Sequence, residues 1–133
     1  MPLTPEVKAF LPGKVAWVAT ADKTGVPNLS PKGTLAVVDD DTLVFADLFS
    51  LKTRKALEEN PNVAVAVVDP AIPNGYQIKG RCELLTSGPL YDKVAAEVRA
   101  KMPQLGPPKY VVRINVTDVY SLAPGPEAGR KIG

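Results

Sequence analysis

The stretch TLVFADLFSLKTRKALEENPNVAVAVVD, residues 42–69, contains the change of pattern that decides the fold. Its first six residues, TLVFAD, predict a strand over 42–47. Residues 50–59 predict a short helix that Ser50 can cap and that Asn60-Pro61 ends. Residues 62–70 are mostly apolar and predict a strand buried on both faces or nearly so.

Patterns on either side of this stretch predict more strands than helices. Thr4-Pro5 is typical of a helix start. After residue 87, apolar residues at helical spacing predict a further helix with the stripe Leu90, Val94, Val98 and Met102. The remaining segments predict strands over 14–22, 26–32, 34–38, 76–85 and 109–122. Tight turns between neighbours favour a largely antiparallel sheet, closed or nearly closed into a small barrel. We expect one domain over 1–133, with a core at about 5–122 and a tail at 123–133.

Composition excludes several classes of function. The chain has 133 residues, a net charge of +2, one cysteine and no histidine. Without histidine there is no Ser-His-Asp or Cys-His site and no His-containing metal site, so an enzyme of this sequence would depend on a bound cofactor. We expect no metal site, no nucleic-acid binding, no secretory signal and no membrane span, and the lone cysteine favours a cytoplasmic setting.

The helix at 50–59 carries its charges in an unfavourable order. Lys52, Arg54 and Lys55 lie near its start and Glu58 and Glu59 near its end, although a helix N-terminus prefers acidic neighbours. One interpretation is a solvated face, since each such charge costs only about 0.3–1 kcal/mol. The alternative is an anion bound at the helix start by Lys52, Arg54 and Lys55, with hydroxyl donors from Ser50 and Thr53.

The segment NLSPKGT, residues 28–34, suggests a second site. It can be an irregular edge strand, where proline and glycine are tolerated. Alternatively, Pro31 and Gly33 free backbone groups to face a planar heterocycle, whose edge Ser30, Lys32 and Thr34 would complete. Outside this segment, five residues have structural interpretations. Gly80 marks a bulge or close backbone approach, and Cys82 is a packed thiol. Trp17 belongs to the core or a subunit interface, and Gln77 and Lys79 are solvated.

Four segments resemble the pyridoxamine 5′-phosphate oxidase-like family of FMN-binding split barrels. They are ATADKTGVPNLSP (19–31), DDDTLVFAD (39–47), KTRKALEENPNVAV (52–65) and GYQIKGRCELLTSGPLYDKV (75–94). The likeness covers about residues 5–122 and is most similar to small FMN-binding and flavin reductase-like members. Unlike true pyridoxamine phosphate oxidases, the chain is short and lacks both histidine and an arginine-rich C-terminal end.

The resemblance implies a mainly β fold, a six-stranded antiparallel split barrel, and a homodimer with FMN at the subunit interface. It implies phosphate contacts around Lys52 and Thr53, with Ser50 or Leu51 nearby. It places the strand Ser30, Pro31, Lys32, Gly33 and Thr34 at the flavin edge and Asp47, Leu48 and Phe49 beside the ring. No catalytic side chain is expected, because the flavin carries the electrons.

These implications lead to an FMN-dependent oxidoreductase or electron carrier, with a small molecule or a protein as donor or acceptor. The alternatives are an FMN storage or sensing module without turnover and an F420-binding oxidoreductase of the same fold. Haem is disfavoured because the sequence offers no histidine ligand. A cofactor-free interaction protein is the alternative from another class.

Overall fold

One antiparallel sheet forms most of the molecule. The computed structural model describes residues 2–48 and 51–133, and within them three α-helices, one 3-10 turn and seven strands are present. The helices are α1 (Pro5–Phe10), α2 (Leu51–Glu59) and α3 (Pro89–Lys101), and the 3-10 turn is Pro103–Leu105. The strands are β1 (Ala16–Ala21), β2 (Pro27–Lys32), β3 (Ala36–Asp39), β4 (Thr42–Asp47), β5 (Asn62–Asp69), β6 (Asn74–Leu85) and β7 (Tyr110–Ser121).

The strand order is β2-β1-β5-β6-β7-β4-β3, and every pairing in it is antiparallel. The mainly β, antiparallel fold class is therefore confirmed. Two details differ from the predictions. The described residues form seven paired strands, as the sequence patterns predict, rather than the six that the resemblance implies. The sheet is open rather than closed, because β2 and β3 end it without pairing to each other. The stretch from Gly33 to Leu35 interrupts the extended backbone between these two edge strands.

Two apolar clusters hold the sheet and helices together. The larger one contains buried residues of β1, β4, β5, β6 and β7, and α1 with its flanking residues adds Leu3, Val7 and Leu11 to it. The smaller one packs α3 against β4 and β7, and it contains the buried Val94 and Val98 with Leu90 and Met102 packed against them. The helical stripe predicted from the sequence thus faces this second cluster.

The start of α1 and the middle of β6 behave as the sequence predicts. Thr4 caps α1, since its Oγ1 accepts a hydrogen bond from the backbone N–H of Val7 at 3.3 Å, and Pro5 follows at the first helical position. The pairing of β6 with β7 shifts register between Lys79 and Gly80. A Cβ added at Gly80 would lie 2.4 Å from the backbone oxygen of Asn115, so only glycine fits there.

Both glutamates at the end of helix α2 have a contact partner. Glu58 approaches Arg54, with 3.6 Å between Oε1 and the guanidinium Nε, one helical turn away. Glu59 accepts a hydrogen bond from the backbone N–H of Lys23 at 3.3 Å, which fastens the β1–β2 turn to α2. Ser50, the predicted cap, lies outside the described residues, and the described helix has no acidic residue in its first turn.

The residues after β7 pair back onto that strand. The backbone N–H of Val119 donates to the oxygen of Gly133 at 2.8 Å, and the N–H of Ser121 donates to the oxygen of Arg130 at 2.9 Å. Lys131 forms an ion pair with Asp118 at 3.0 Å. In the part of the chain that the structure describes, no helix has the length and apolar character needed to cross a membrane.

Candidate functional site

Edge strand β2 presents alternate residues to two different surroundings. Asn28 and Ser30 are half-buried and Lys32 is buried, whereas Leu29 and Pro31 on the opposite face are exposed. This period of two follows from the strand geometry, in which successive side chains point to opposite faces. The inward row therefore lines up three polar side chains along the face that meets α2 and β4.

The hydroxyl of Thr53 joins α2 to this inward row. The side chain of Thr53 is only 1% exposed. The Asn28 Nδ2 donates to Thr53 Oγ1 at 3.0 Å, and the Ser30 and Thr53 hydroxyls share a hydrogen bond of 2.9 Å. Asn28 also donates to the Thr20 hydroxyl at 3.3 Å. The first turn of α2 is thus fixed against β2 by polar contacts.

A cleft of about 550 Å³ opens next to this polar group, between the β1–β2 turn and α2. Lys52 and Lys55 line it from the helix, Lys23 lines it from the turn, and Asn28 lines it from β2. Its other lining residues are Asp22, Thr24, Val26, Pro27, Ala56 and Glu59. The cleft therefore brings three lysines together with a side-chain amide that contacts Thr53.

The three cations of α2 are not equivalent. Lys52 and Lys55 are exposed and line the cleft, whereas Arg54 is half-buried and does not line it. The Arg54 guanidinium lies 5.2 Å from the ring centroid of Tyr110 and close to Glu58. Arg54 thus has an intramolecular setting, and the anion interpretation rests on the two lysines.

A second cavity, of about 330 Å³, lies at the other end of the β2 row. We call it the slot, and it is lined by Pro31, Lys32, Gly33, Thr34, Ala46, Leu48, Met102 and Leu105. The backbone of Gly33 is open on the side that a Cβ would occupy, where no heavy atom lies within 4 Å. Five of the eight residues lining the slot were site candidates in the sequence. The remaining three are Ala46 of β4, Met102 directly after α3, and Leu105 of the 3-10 turn.

Lys32 and Asp47 form a buried ion pair beside the slot. Their Nζ and Oδ1 atoms are 4.0 Å apart, and the two residues are 8% and 3% exposed. Burial lowers the pKa of Lys32, and the negative charge of Asp47 opposes this shift. An ammonium held in a mostly apolar cavity favours a ligand that brings electron-rich oxygen or nitrogen acceptors.

The other predicted site residues have different surroundings in the structure. Thr34 is fixed to β4, because its Oγ1 accepts from the backbone N–H of Ala46 at 3.0 Å. Leu51 is 65% exposed and lines neither the cleft nor the slot. Phe49 and Ser50 lie outside the described residues.

Sequence reasoning missed several residues that line the two cavities. Asn28 continues the alternation of Ser30 and Lys32, so the period of two could have found it. Met102 and Leu105 line the slot although they lie about seventy residues further along the chain, and no local sequence pattern predicts that contact. A neighbouring cavity of about 430 Å³ shares Gly33, Thr34 and Met102 with the slot.

The open antiparallel sheet with its covering helices has the fold of the split-barrel proteins. The chain belongs to the pyridoxamine 5′-phosphate oxidase family, whose model matches residues 3–123. An uncharacterized protein of Methanocaldococcus jannaschii is 39% identical over 134 residues, which cover 98% of this chain and 87% of the relative. The crystal structure of Group A Streptococcus HupZ is similar at a TM-score of 0.86 and 30% identity, over 98% of this chain and 99% of HupZ.

More distant structures share the fold alone. An FMN-binding protein of Syntrophomonas wolfei aligns at a TM-score of 0.76 and 16% identity, over 88% of this chain and 81% of that protein. Other structures with this fold are named F420 reductase and the heme storage protein HutZ of Vibrio cholerae, at 22% and 18% identity. Proteins of this fold therefore differ in the cofactor that their names state.

Proposed function

We propose that this protein is an FMN-binding flavoprotein, acting as an oxidoreductase or electron carrier, with FMN held at the interface of a homodimer. The observation that carries the proposal is the pair of cavities at the two ends of β2. One is a mostly apolar slot with open backbone, the other is a cleft lined by lysines, and the Ser30–Thr53 contact lies between them. FMN likewise has a flat, mostly apolar ring at one end and a charged phosphate at the other, joined by a short chain.

The slot fits the ring end of such a cofactor. Its apolar walls come from Pro31, Leu48, Met102 and Leu105, which suit a flat aromatic system. The open backbone at Gly33 allows close approach to a ring edge, and the buried Lys32 ammonium suits the carbonyl oxygens of the pyrimidine part. These residues bind and orient a ring, and the bound flavin would supply the electron or hydride transfer.

The cleft fits the phosphate end. Lys52 offers a cationic side chain, and the hydroxyls of Thr53 and Ser30 with the Asn28 amide offer neutral polar groups beside it. A bound phosphate would also reverse the unfavourable electrostatics of cations at a helix start. The proposal requires no side-chain acid or base. We also propose a cytoplasmic location, because a single cysteine is typical of proteins in a reducing compartment.

A second copy of the chain would complete the site. The outward face of β2, β1 and β5 carries exposed apolar residues, including Trp17 at 48% and Leu29 at 62%. Pro31 pairs with Trp17 across the sheet and also lines the slot, so this face and the slot are continuous. Burying the face against its own copy would remove apolar surface from water and close the slot from outside.

Flavin titration tests the proposal. We expect FMN to bind with quenching of its fluorescence, and Lys52→Ala with Thr53→Ala to weaken binding by at least about 2 kcal/mol, since hydrogen bonds to charged groups contribute roughly 1.5–3 kcal/mol each. Lys93→Ala, which removes an exposed lysine of α3, is the matched control and should bind FMN normally. A protein that neither binds nor quenches FMN would refute the proposal.

Turnover separates the oxidoreductase from a storage or sensing module. With FMN bound, anaerobic addition of NADH or NADPH followed by a screen of acceptors should bleach and then restore the flavin absorbance. An FMN-loaded protein that no donor reduces would instead support a storage or sensing role for the same site.

A further inference from the structure

The inward row of β2 ends in a buried ammonium group that borders the slot. Lys32 is 8% exposed and lines the slot, whereas its partner Asp47 is 3% exposed and does not line it. Their Nζ and Oδ1 atoms lie 4.0 Å apart, and the same Nζ lies 5.8 Å from the ring centroid of Phe45. A ligand in the slot therefore meets the positive end of this ion pair more closely than the negative end.

The stability of the fold does not account for this ion pair. Burying two charges carries a desolvation cost, and apolar side chains of similar volume often stabilise a fold equally well or better. Burial accordingly lowers the pKa of Lys32, although the negative charge of Asp47 opposes the shift. Among the described residues that line the slot, Lys32 is the one charged group. The pair is therefore better explained by the charge of what the slot binds.

We infer that this ion pair sets the reduction potential of a flavin bound in the slot. The Lys32 ammonium stabilises the negative charge that the ring gains on reduction, and the Asp47 carboxylate partly cancels that effect. The inference rests on the proposed function, because it assumes that a flavin ring occupies the slot. It goes further by assigning the potential of the bound ring to two named side chains.

The charge balance of reduction gives the direction of each effect. Hydride transfer from a reduced nicotinamide donor brings two electrons and one proton to a neutral ring. The ring then carries one negative charge, the oxidised donor carries one more positive charge, and Lys32 keeps its proton. Because the slot has mainly apolar walls, little solvent screens the attraction between the ammonium and the ring. Lys32 should therefore raise the reduction potential, and Asp47 should lower it.

Anaerobic redox titration of the FMN-loaded protein against a reference dye at pH 7 tests the inference. In Lys32→Met we expect the affinity for reduced FMN to fall about tenfold more than that for oxidised FMN, which lowers the potential by about 30 mV. In Asp47→Asn the ratio of the two affinities should change about threefold in the opposite direction, which raises the potential by about 15 mV. Fluorescence titration measures the affinity for oxidised FMN separately.

A double variant and a control complete the design. Because Lys32→Met removes the ammonium partner of a buried carboxylate, circular dichroism first checks that each variant folds. Lys32→Met/Asp47→Asn removes both charges, and its potential should fall by about 15 mV. This variant decides the question if Lys32→Met does not fold. Lys93→Met, which removes an exposed lysine of α3 that lines none of the three cavities, should keep the potential of the parent protein.

The outcomes distinguish the two proposals. Shifts of opposite sign for the two single variants, or a lowered potential for the double variant, support the inference. If Lys32→Met or the double variant binds FMN with the potential of the parent protein, the ion pair does not set the potential although the FMN proposal stands. The same holds if both single variants shift the potential in one direction. A parent protein that binds no FMN contradicts the proposed function itself, and the inference with it.

Discussion

Thr53 shows how one buried hydroxyl links the two elements that form the candidate site. Its Oγ1 contacts both Asn28 and Ser30 on β2, so the position of α2 depends on side-chain hydrogen bonds as well as on apolar packing. A hydrogen bond of this kind contributes about 0.5–1.5 kcal/mol net, and a partner left without one costs about 1–3 kcal/mol. The same group lies between the cleft and the slot, so its loss should disturb both ends of the site.

A double-mutant cycle measures this link. Thr53→Val keeps the shape of the side chain and removes the hydroxyl, and Ser30→Ala removes its partner. We expect the two changes to lower the free energy of unfolding by less together than the sum of their separate effects, with a coupling of roughly 0.5–1.5 kcal/mol. Urea denaturation of the four proteins provides the numbers. Strict additivity would show that the hydroxyls do not stabilise each other.

Cys82 is a second residue whose environment controls its chemistry. Burial raises the pKa of its thiol to about 12, so the neutral thiol is favoured in the fold. At pH 8 we expect the native protein to react with a thiol reagent far more slowly than the urea-unfolded protein. Because the pKa is raised in the fold, this residue stabilises the protein below its unfolded pKa of about 9, and that contribution falls as pH rises from there towards 12. Equal reactivity of folded and unfolded protein at pH 8 would contradict the packed-thiol interpretation.

The extent of prediction from sequence differs among the elements. The cap of α1, the stripe of α3 and the alternation of β6 were predictable, because each depends on residues that are close in the sequence. The break between β2 and β3 was placed too early. Pro31 and Gly33 predict a break at 31–33 between the strands 26–32 and 34–38, but the interruption lies at 33–35. Pro31 stays in the ladder because the edge strand needs hydrogen bonds on one side alone. Closure of the slot by Met102 and Leu105 is a tertiary contact that local patterns do not encode.

Strand β6 offers a sharp test of one predicted element. In Gly80→Ala the added Cβ would meet the Asn115 backbone oxygen at 2.4 Å and the Ile114 side chain at 2.9 Å. Overpacking of this kind costs typically about 1–3 kcal/mol, so the unfolding midpoint in urea should fall clearly. Gly33→Ala is the matched control, because its Cβ meets no heavy atom within 4 Å. Its stability should stay close to that of the parent protein, and an unchanged midpoint for Gly80→Ala would refute the close approach.

At the scale of the whole molecule, the outward apolar face of the sheet is the surface that suits the homodimer proposed above. Cross-strand neighbours share a face of a sheet, so the register places Pro31, Trp17 and Ala66 in one row and Leu29, Ala19 and Ala64 in the next. Polar residues border these rows, since Ala66 pairs with Gln77 and Ala64 with Lys79. The sequence alternatives for Trp17 were core or subunit interface, and its exposure excludes the core.

Charge placed on this face should separate the copies. We expect Leu29→Glu, at a side chain that is 62% exposed, to leave the fold intact and to shift the protein from dimer to monomer in sedimentation equilibrium. Its FMN affinity should fall as well, because Leu29 lies on β2 between residues of the cleft and the slot, and the monomer leaves the ring end open to water. Ile72→Glu is the matched control, since Ile72 is 61% exposed in the β5–β6 loop and outside these rows. A parent protein that is already monomeric while binding FMN would place the whole site within one chain, and the apolar face would then need another partner.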